Sequence, residues 1–303
     1  MTELVEYIPF LFLSWLARRL RFSTAGKVGA TLGSWAFALP IRRKEIALDN
    51  LARAFPEFSK DQLRRIARGA FRNYGTVLME FLWSDGRTEE QLLETIHAVD
   101  AEFIKKHFAE PRAVILLSGH YGCWEWLVKP VRLSIGRPVT SIVYHQRNKR
   151  IDRFVDRVRC QFGNSTVPMG IGVREVLRVL RAGGVVAMLG DQSGPKESVF
   201  IDFLGRPAAT HRGAAAFSLK TNTPIIMAFL LRQGDGRYQL MFEEVDRTGL
   251  GSYTEENVTE LTRRHTAILE RYIRMRPDLW LWMHKRWKHT EFYQSHVMAG
   301  ETA

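Results

Sequence analysis

Only two cysteines, Cys123 and Cys160, occur in 303 residues. Two thiols make no disulfide framework, and their spacing fits no zinc pattern. A reducing compartment is therefore the simpler setting. A long hydrophobic run is also missing. The apolar stretch at residues 8–17 (IPFLFLSWLA) is shorter than the roughly 20 residues that a bilayer-spanning helix needs. The N-terminus, Met1-Thr2-Glu3, lacks a basic n-region and shows no small-residue cleavage site, so no cleavable signal peptide is expected. There is no internal repeat, no low-complexity tract and no recognised nucleic-acid motif. Acidic residues are the minority charge, 32 against 44 basic ones, leaving a formal charge of +12. An excess of that size implies an anionic partner: a nucleic acid, an anionic lipid surface or an acidic protein.

What is present describes a globular chain. Hydrophobic residues make up 46% and charged residues 25%, and the length suffices for one large domain with a substantial core. Eight residues are Trp, a side chain suited to boundaries that are wet on one side and apolar on the other. The stretch 8–17 is followed by Arg18, Arg19 and Arg21. A second weakly apolar stretch, 28–41, carries Trp35 and ends at Arg42-Arg43-Lys44. Two core helices would account for both. The repeated grouping of bulky apolar residues, Trp and Arg favours a shallow anchor whose basic flanks face an anionic membrane surface.

Periodicity divides the chain into a helical N-terminal region, 1–85, with the membrane-associating segment, and an α/β domain, 86–303. Ile46, Leu48, Leu51 and Phe55 recur at roughly helical spacing until Pro56. Ser59 then opens another helix, with Gln62 as its capping-box partner. From residue 113 short apolar runs alternate with amphipathic segments. Strands are predicted at 113–117, 139–144, 185–189, 225–231 and 238–245. Helices are predicted at 121–133, 151–162, 173–181, 211–220 and 254–275, with a Gly- and Pro-rich loop over 190–210. Such alternation implies a mostly parallel central sheet flanked by helices.

The segment Ser118-Gly119-His120-Tyr121-Gly122-Cys123-Trp124-Glu125-Trp126 carries the clearest chemistry. A buried strand ends, Ser118-Gly119 turns, and a helix is predicted from Tyr121. His120 then stands at the carboxyl end of a strand, where open α/β sheets bind ligands. His120 and Glu125 are five apart, about 140° around an ideal helix, so they meet only if His120 lies in the turn before that helix. A neutral imidazole there can take a proton from a hydroxyl while a carboxylate fixes its tautomer. A bare H-x4-E is also common by chance, as a turn histidine beside a surface glutamate.

The rest of the chain weighs against chance, because it resembles the bacterial lipid A late acyltransferases (lauroyl/myristoyl acyltransferases) and the related mycobacterial phosphatidylinositol mannoside acyltransferases. Ile46-Ala47-Leu48-Asp49-Asn50-Leu51 with Phe55-Pro56-Glu57 is similar to the family's "NL…FPE" block. AVILLSGHYGCWEW resembles "GVILLTGHFGNWE", and Gly190-Asp191-Gln192 resembles the "DQ" block. Phe203-Leu204-Gly205-Arg206-Pro207-Ala208 resembles "FFGxPA". Residues 276–288 (RPDLWLWMHKRWK) resemble "PEQWLWxHRRWK". Five blocks in the right order make the resemblance specific. It departs at Cys123, where Asn is common, and at Tyr144-His145-Gln146-Arg147-Asn148, where "YRP…N" is usual.

The resemblance implies acyl transfer from an acyl carrier protein or coenzyme A thioester to a hydroxyl of a lipid A precursor or similar glycolipid. The place implied is the cytoplasmic face of the inner membrane. His120 would be the general base and Glu125 its partner, with no cofactor or metal. Asp191, at the end of a strand, lines the site or caps a turn before Gly194-Pro195. Arg147, Lys149, Arg150, Arg153, Arg157 and Arg159 form a basic run, of which Arg147, Arg157 and Arg159 are candidate contacts to phosphates or an acidic carrier. Trp280, Trp282 and Trp287, with His284, Lys285, Arg286 and Lys288, are either core aromatics with a solvated tail or an interfacial belt. Two competing readings are a non-enzymatic binder of anionic lipid or nucleic acid, and a cysteine hydrolase using Cys123 with His120. No nucleic-acid partner is expected.

Overall fold

A computed structural model describes residues 2–170, 172–196 and 198–300. Four helices open the chain: α1 (Thr2–Arg19), α2 (Phe22–Ala38), α3 (Arg42–Ala54) and α4 (Lys60–Trp83). Then follow α5 (Glu89–Leu93), β1 (Ile96–Val99), α6 (Ala101–Phe108), β2 (Val114–Ser118), α7 (Val128–Ile135), β3 (Val139–Val143), α8 (Lys149–Arg159) and β4 (Ser165–Pro168). After these come α9 (Val173–Arg181), β5 (Val185–Leu189), β6 (Val199–Phe203), β7 (Arg206–Thr210) and α10 (Gly213–Thr221). The chain closes through β8 (Ile225–Arg232), β9 (Tyr238–Glu244), α11 (Glu255–Met275) and α12 (Thr290–Gly300).

Seven strands form one sheet in the order β1-β9-β8-β2-β5-β3-β4. The β8–β9 hairpin is antiparallel and the other pairings are parallel. The expected α/β architecture with a mostly parallel sheet is therefore present. The central strands are covered on both faces, and alternate side chains reach opposite cores. Ile115, Leu117, Val186 and Met227 join one apolar cluster, and Val114, Leu116, Val185 and Ala228 the other. This explains why β2 reads as an unbroken apolar run: all five of its residues are buried.

Three local expectations change. The loop predicted at 190–210 contains the β6–β7 hairpin, whose tight turn places Leu204 and Gly205 at positive φ. Strands β1 and β4 carry no clear alternating signal, and both lie at the sheet edges. The helix predicted from Tyr121 begins only at Val128. Residues 121–123 instead form an irregular strap, with Tyr121 bridged to Trp280 and the Cys123 amide bonded to Leu230 O at 2.9 Å. Gly122 makes this possible. Its φ is +63°, and a Cβ there would sit 2.5 Å from Leu230 O.

The N-terminal helices are packed onto the sheet layer. Phe55 and Ala70 belong to the same core cluster as Leu117, and Phe81 and Leu82 to that of Leu116. The Ser59–Gln62 capping box opens α4 as the sequence predicts. Near the other end of α4, buried Glu80 engages Tyr238 Oη and the Arg232 guanidinium, tying the helix to the β8–β9 hairpin. Asp85, also buried, receives both Arg157 nitrogens at 2.7 and 3.2 Å.

One face of α1 packs inward through Phe10, Leu13 and Ala17, with Phe10 edge-on to Phe154 of α8. The opposite face is also apolar and exposed: Leu4, Val5, Ile8, Leu11, Phe12 and Trp15. Trp35 on α2 and Leu39 just beyond it are exposed as well. Among the described residues, no helix is long and apolar enough to cross a membrane. Trp280, Trp282, Trp287 and Arg286 are all buried, so of the two readings of that segment the core one holds and Arg286 is no part of a solvated tail.

Helices α2 and α4 cross with their backbones in contact. A Cβ on Gly33 would lie 2.1 Å from Phe71 O, and one on Gly75 would lie 2.1 Å from Gly29 O. No rotamer change relieves a clash with backbone, so the helices must separate and lose contact along the whole crossing. Gly33→Ala and Gly75→Ala are expected to lower stability by about 2–3 kcal/mol in urea unfolding. Gly251→Ala meets nothing within 4 Å and is expected to change it by less than ~0.5 kcal/mol.

Candidate active site

Strands β2 and β5 are parallel neighbours with Ser118 opposite Leu189. Each is followed by a glycine, and Gly190 N donates to Ser118 O at 3.0 Å. The residues that come next, His120 and Asp191, therefore emerge side by side at the carboxyl edge of the sheet. A Cβ on Gly119 would stand 3.1 Å from Asp191 Oδ2 and 2.9 Å from Leu269. Its absence lets the His120 backbone close onto the carboxylate.

Asp191 is buried and accepts three hydrogen bonds. His120 Nδ1 lies 2.8 Å from Oδ1; Oδ2 receives the His120 amide at 2.7 Å and the Trp280 indole at 2.8 Å. Burial pushes its pKa up. The neighbouring His120 and the hydrogen bonds from its ring, from Trp280 and from the His120 amide outweigh burial and hold it at about 2. The carboxylate is thus ionised at neutral pH and acts only as an acceptor, which places the proton of neutral His120 on Nδ1. Nε2 is left with its lone pair, 3.2 Å from the Gln192 side-chain nitrogen. The His120 side chain is 19% exposed and lies beside the Trp124 ring at 5.5 Å. Burial lowers its pKa, but Asp191, through charge and hydrogen bond, raises it above the ordinary imidazole value; Glu125 adds to the rise and Arg159 opposes it.

Glu125 occupies a different place from the one its spacing implied. No hydrogen bond joins it to His120 among the described residues. Its Oε1 instead accepts from Arg159 Nε at 2.9 Å and Nη2 at 2.5 Å. The physical reason is the strap: the helix begins only at Val128, so Glu125 is not on its first turn. Glu125 reaches His120 only through space. Arg159 thus stands near His120, with two of its nitrogens donating to one Glu125 oxygen.

The other predicted residues separate. Arg147 is exposed in the loop before α8. Arg157 is engaged by buried Asp85. The Cys123 thiol is fully buried, donates toward Glu80 at 3.8 Å, and burial raises its pKa far above the ordinary thiol value. It has neither the exposure nor the base contact that a nucleophile needs, so the cysteine-hydrolase reading fails. Among the described residues, no group of three or more His, Cys, Asp or Glu side chains has an arrangement that would hold a metal ion.

Three residues near the pair had no assigned role in the sequence. Trp280 donates to Asp191, Gln192 faces the base, and His284 Nε2 accepts from Ser193 N at 3.1 Å. Burial, followed by the surrounding charges, pushes His284 down to about 4. The only available signal was the pairing of the Asp191-Gln192 dipeptide with the Trp-rich C-terminal block. It showed that both segments matter, without showing that they meet.

Residues 3–289 match the family model for bacterial lipid A biosynthesis acyltransferases. The chain is 24% identical over 281 residues to the lipid A biosynthesis lauroyltransferase of Escherichia coli K12, covering 90% of this chain and 88% of that protein. The palmitoleoyltransferase of the same organism is 24% identical over 280 residues, with the same coverage of each chain. A lipid A biosynthesis acyltransferase of Haemophilus influenzae is 23% identical over 278 residues, 90% of this chain and 83% of that one. With nearly its whole length inside one family model, this chain belongs to the bacterial lipid A biosynthesis acyltransferase family and is an O-acyltransferase.

Proposed function

We propose that the protein transfers a fatty acyl chain from a carrier-protein or coenzyme A thioester to a hydroxyl of a lipid A precursor or related glycolipid, with His120 as general base and Asp191 as the carboxylate that orients it. The observation carrying this reading is the 2.8 Å contact between His120 Nδ1 and a buried, triply bonded Asp191, which fixes the tautomer with Nε2 free to accept. The acceptor hydroxyl takes the place beside Nε2 now occupied by the Gln192 amide. Nε2 removes its proton as the oxygen attacks the thioester carbonyl. The tetrahedral intermediate then collapses, the C–S bond breaks, and the imidazolium returns its proton to the leaving thiolate. Asp191 stabilises the imidazolium while it lasts. Arg159, held by Glu125, supplies positive charge for the developing oxyanion or for an acceptor phosphate. Exposed Arg147 extends the basic surface on which an acidic carrier protein or a phosphorylated headgroup docks. Arg157 supports this surface by anchoring α8 to Asp85.

The acceptor is a lipid, and the outer face of α1 supplies the means to meet it. A helix that is apolar on its packed side and again on its open side needs a second apolar phase. Val5 is 71% exposed, Ile8 62% and Phe12 59%. Arg18 and Arg19 follow, the latter stacked on Trp15 at 4.5 Å, an arrangement suited to anionic headgroups. This supports shallow insertion at the cytoplasmic face of the inner membrane.

Three outcomes test the reading. His120→Ala is expected to reduce kcat by roughly 10²–10⁴-fold. Asp191→Asn should fall in the same range, and Glu125→Gln by less, about 10- to 100-fold; equal losses in the last two would give Glu125 the orienting role instead. Because the His120 pKa is raised above 6.5, the base is lost as pH falls through that raised value. The acid limb of kcat/KM should therefore have its midpoint above 6.5 and move down in Asp191→Asn. A triple Ile8→Ser, Phe12→Ser, Trp15→Ser protein should bind phosphatidylglycerol-containing vesicles at least ~10-fold more weakly, since each lost apolar side chain is worth about 1.5–3 kcal/mol. Undiminished flotation with those vesicles would count against membrane insertion by α1.

A further inference from the structure

Beneath the His120–Asp191 pair lies a small cavity of about 10 Å³, just enough for one water molecule. Its polar lining is Ser118, Asp191, His265, Thr266 and Arg286. Arg286 is fully buried. Nη1 donates to Ala209 O at 2.5 Å and Nη2 to Thr210 Oγ1 at 2.6 Å, but no carboxylate makes an ion pair with it among the described residues. Its Nε is buried without a hydrogen-bond partner, and so is Nε2 of His265. A buried guanidinium and two orphaned nitrogens are costly features, and here they gather around one water-sized space beside a buried carboxylate. Each orphaned nitrogen gains a partner if a water occupies that space, and Asp191 and Ser118 supply the further contacts that such a water requires.

We propose that this cavity is a built water site through which Arg286 serves as the buried counter-charge to Asp191, and that Arg286 thereby tunes how tightly His120 holds its proton. Arg286 is a positioning residue in this role and touches no substrate. The inference rests on the reading of His120 as base. A lone ionised Asp191 in a buried site would favour the imidazolium so strongly that the base would be blocked at neutral pH. A positive charge on the far side of the carboxylate offsets that pull without occupying the reacting nitrogen. Arg286 is held at about 10, down from the usual guanidinium value through burial, with Asp191 opposing the fall, so it stays charged. His265, held at about 3 by burial and by Arg286, stays neutral and can accept or donate to the water. The other charged or titratable groups facing the pair are Glu125 after β2, Arg159 on α8 and His284 after α11. His211, after β7, is pushed down by burial and by the Arg286 and Lys288 charges. None of these lies behind Asp191 in the cavity wall.

The test reads His120 directly. The full chain is labelled with ¹⁵N-histidine, and the His120 ring is titrated by long-range proton–nitrogen NMR and assigned with His120→Gln. Arg286→Met is expected to raise the His120 midpoint by about one pH unit, while Arg286→Lys, which keeps the charge, should stay within ~0.3 unit of the parent. An unmoved or lowered midpoint in Arg286→Met overturns the inference. If that protein does not fold, Arg286→Gln retains a donor and removes the charge, and the same criterion applies. A crystal structure at better than ~1.8 Å supplies the second arm, since ordered water at such a site is visible and makes two to four bonds. Density bonded to both Arg286 Nε and Asp191 supports the site, and a dry cavity overturns it. Turnover of His120→Ala, measured with a lauroyl thioester and a lipid A precursor, separates the two claims. An active His120→Ala protein with the midpoint shifted in Arg286→Met removes the base reading alone. An inactive one with an unmoved midpoint removes the counter-charge alone.

Discussion

A carboxylate removed from water stays ionised only when its oxygens are satisfied by donors that cannot move away. Asp191 meets that condition, and much of the surrounding architecture follows from it. Its three donors come from two distant parts of the chain: the backbone and ring of His120 after β2, and the indole of Trp280 beyond α11. Bringing them together requires β2 and β5 to be neighbours, a glycine at 119, and the C-terminal segment folded back over the sheet edge. That segment is fixed in turn: Leu281 N donates to His120 O at 3.0 Å, and Asn73 of α4 bonds both Gly122 O and Leu279 O. The helical N-terminal layer, the sheet and the C-terminal tryptophans thus share one hydrogen-bonded centre, and a disturbance in any of them reaches the reacting histidine.

Sequence periodicity identified the elements that depend on regular burial. β2, β5, β8 and β9 lie within a residue or two of their predicted spans, as does α11, because each is long or apolar enough for its period to dominate. The capping box at Ser59 was legible because both partners are local. The helix from Tyr121 was not, since the segment 121–127 has the apolar content of a helix face, yet its backbone donors are met by Leu230 and Leu279, far away in sequence. No local propensity scale contains that competition. The β6–β7 hairpin escaped for a related reason: its turn uses Leu204 at positive φ, an uncommon choice that carries no turn signature.

The same distinction governs the site. His120 was visible because strand, tight turn and histidine are contiguous. Its carboxylate partner was assigned by spacing to Glu125, whereas the contact is made by Asp191, 71 residues on. Sequence proximity favours the near carboxylate; sheet topology decides for the far one, because parallel strands separated by three crossovers end at the same edge. Asp191 was noticed through its position after a buried strand, but that position says nothing about which strand lies beside it. Glu125 keeps a part in the site through Arg159, which the sequence had singled out as a candidate contact to phosphates or an acidic carrier without naming its carboxylate partner.

The Trp-rich C-terminal block shows why composition alone was ambiguous. Trp280, Trp282 and Trp287 near basic residues suit either an aqueous boundary or a core. All three are buried, and two are anchored by their N–H groups: Trp280 finds Asp191 at 2.8 Å and Trp282 finds Pro277 O at 2.7 Å. An indole with a buried acceptor is anchored in place, and it holds the base of the pocket rigid. The exposed Trp15 and Trp35 have no such core role, and Trp15 sits on a helix whose outer face is apolar. Aromatic residues therefore do two separate jobs in this chain. Those near the C-terminus hold Asp191 and the core around it, and those near the N-terminus are exposed. The proposed acyl transfer to a membrane lipid uses both, because the proposed base must be held in orientation while the molecule as a whole settles on a fluid surface.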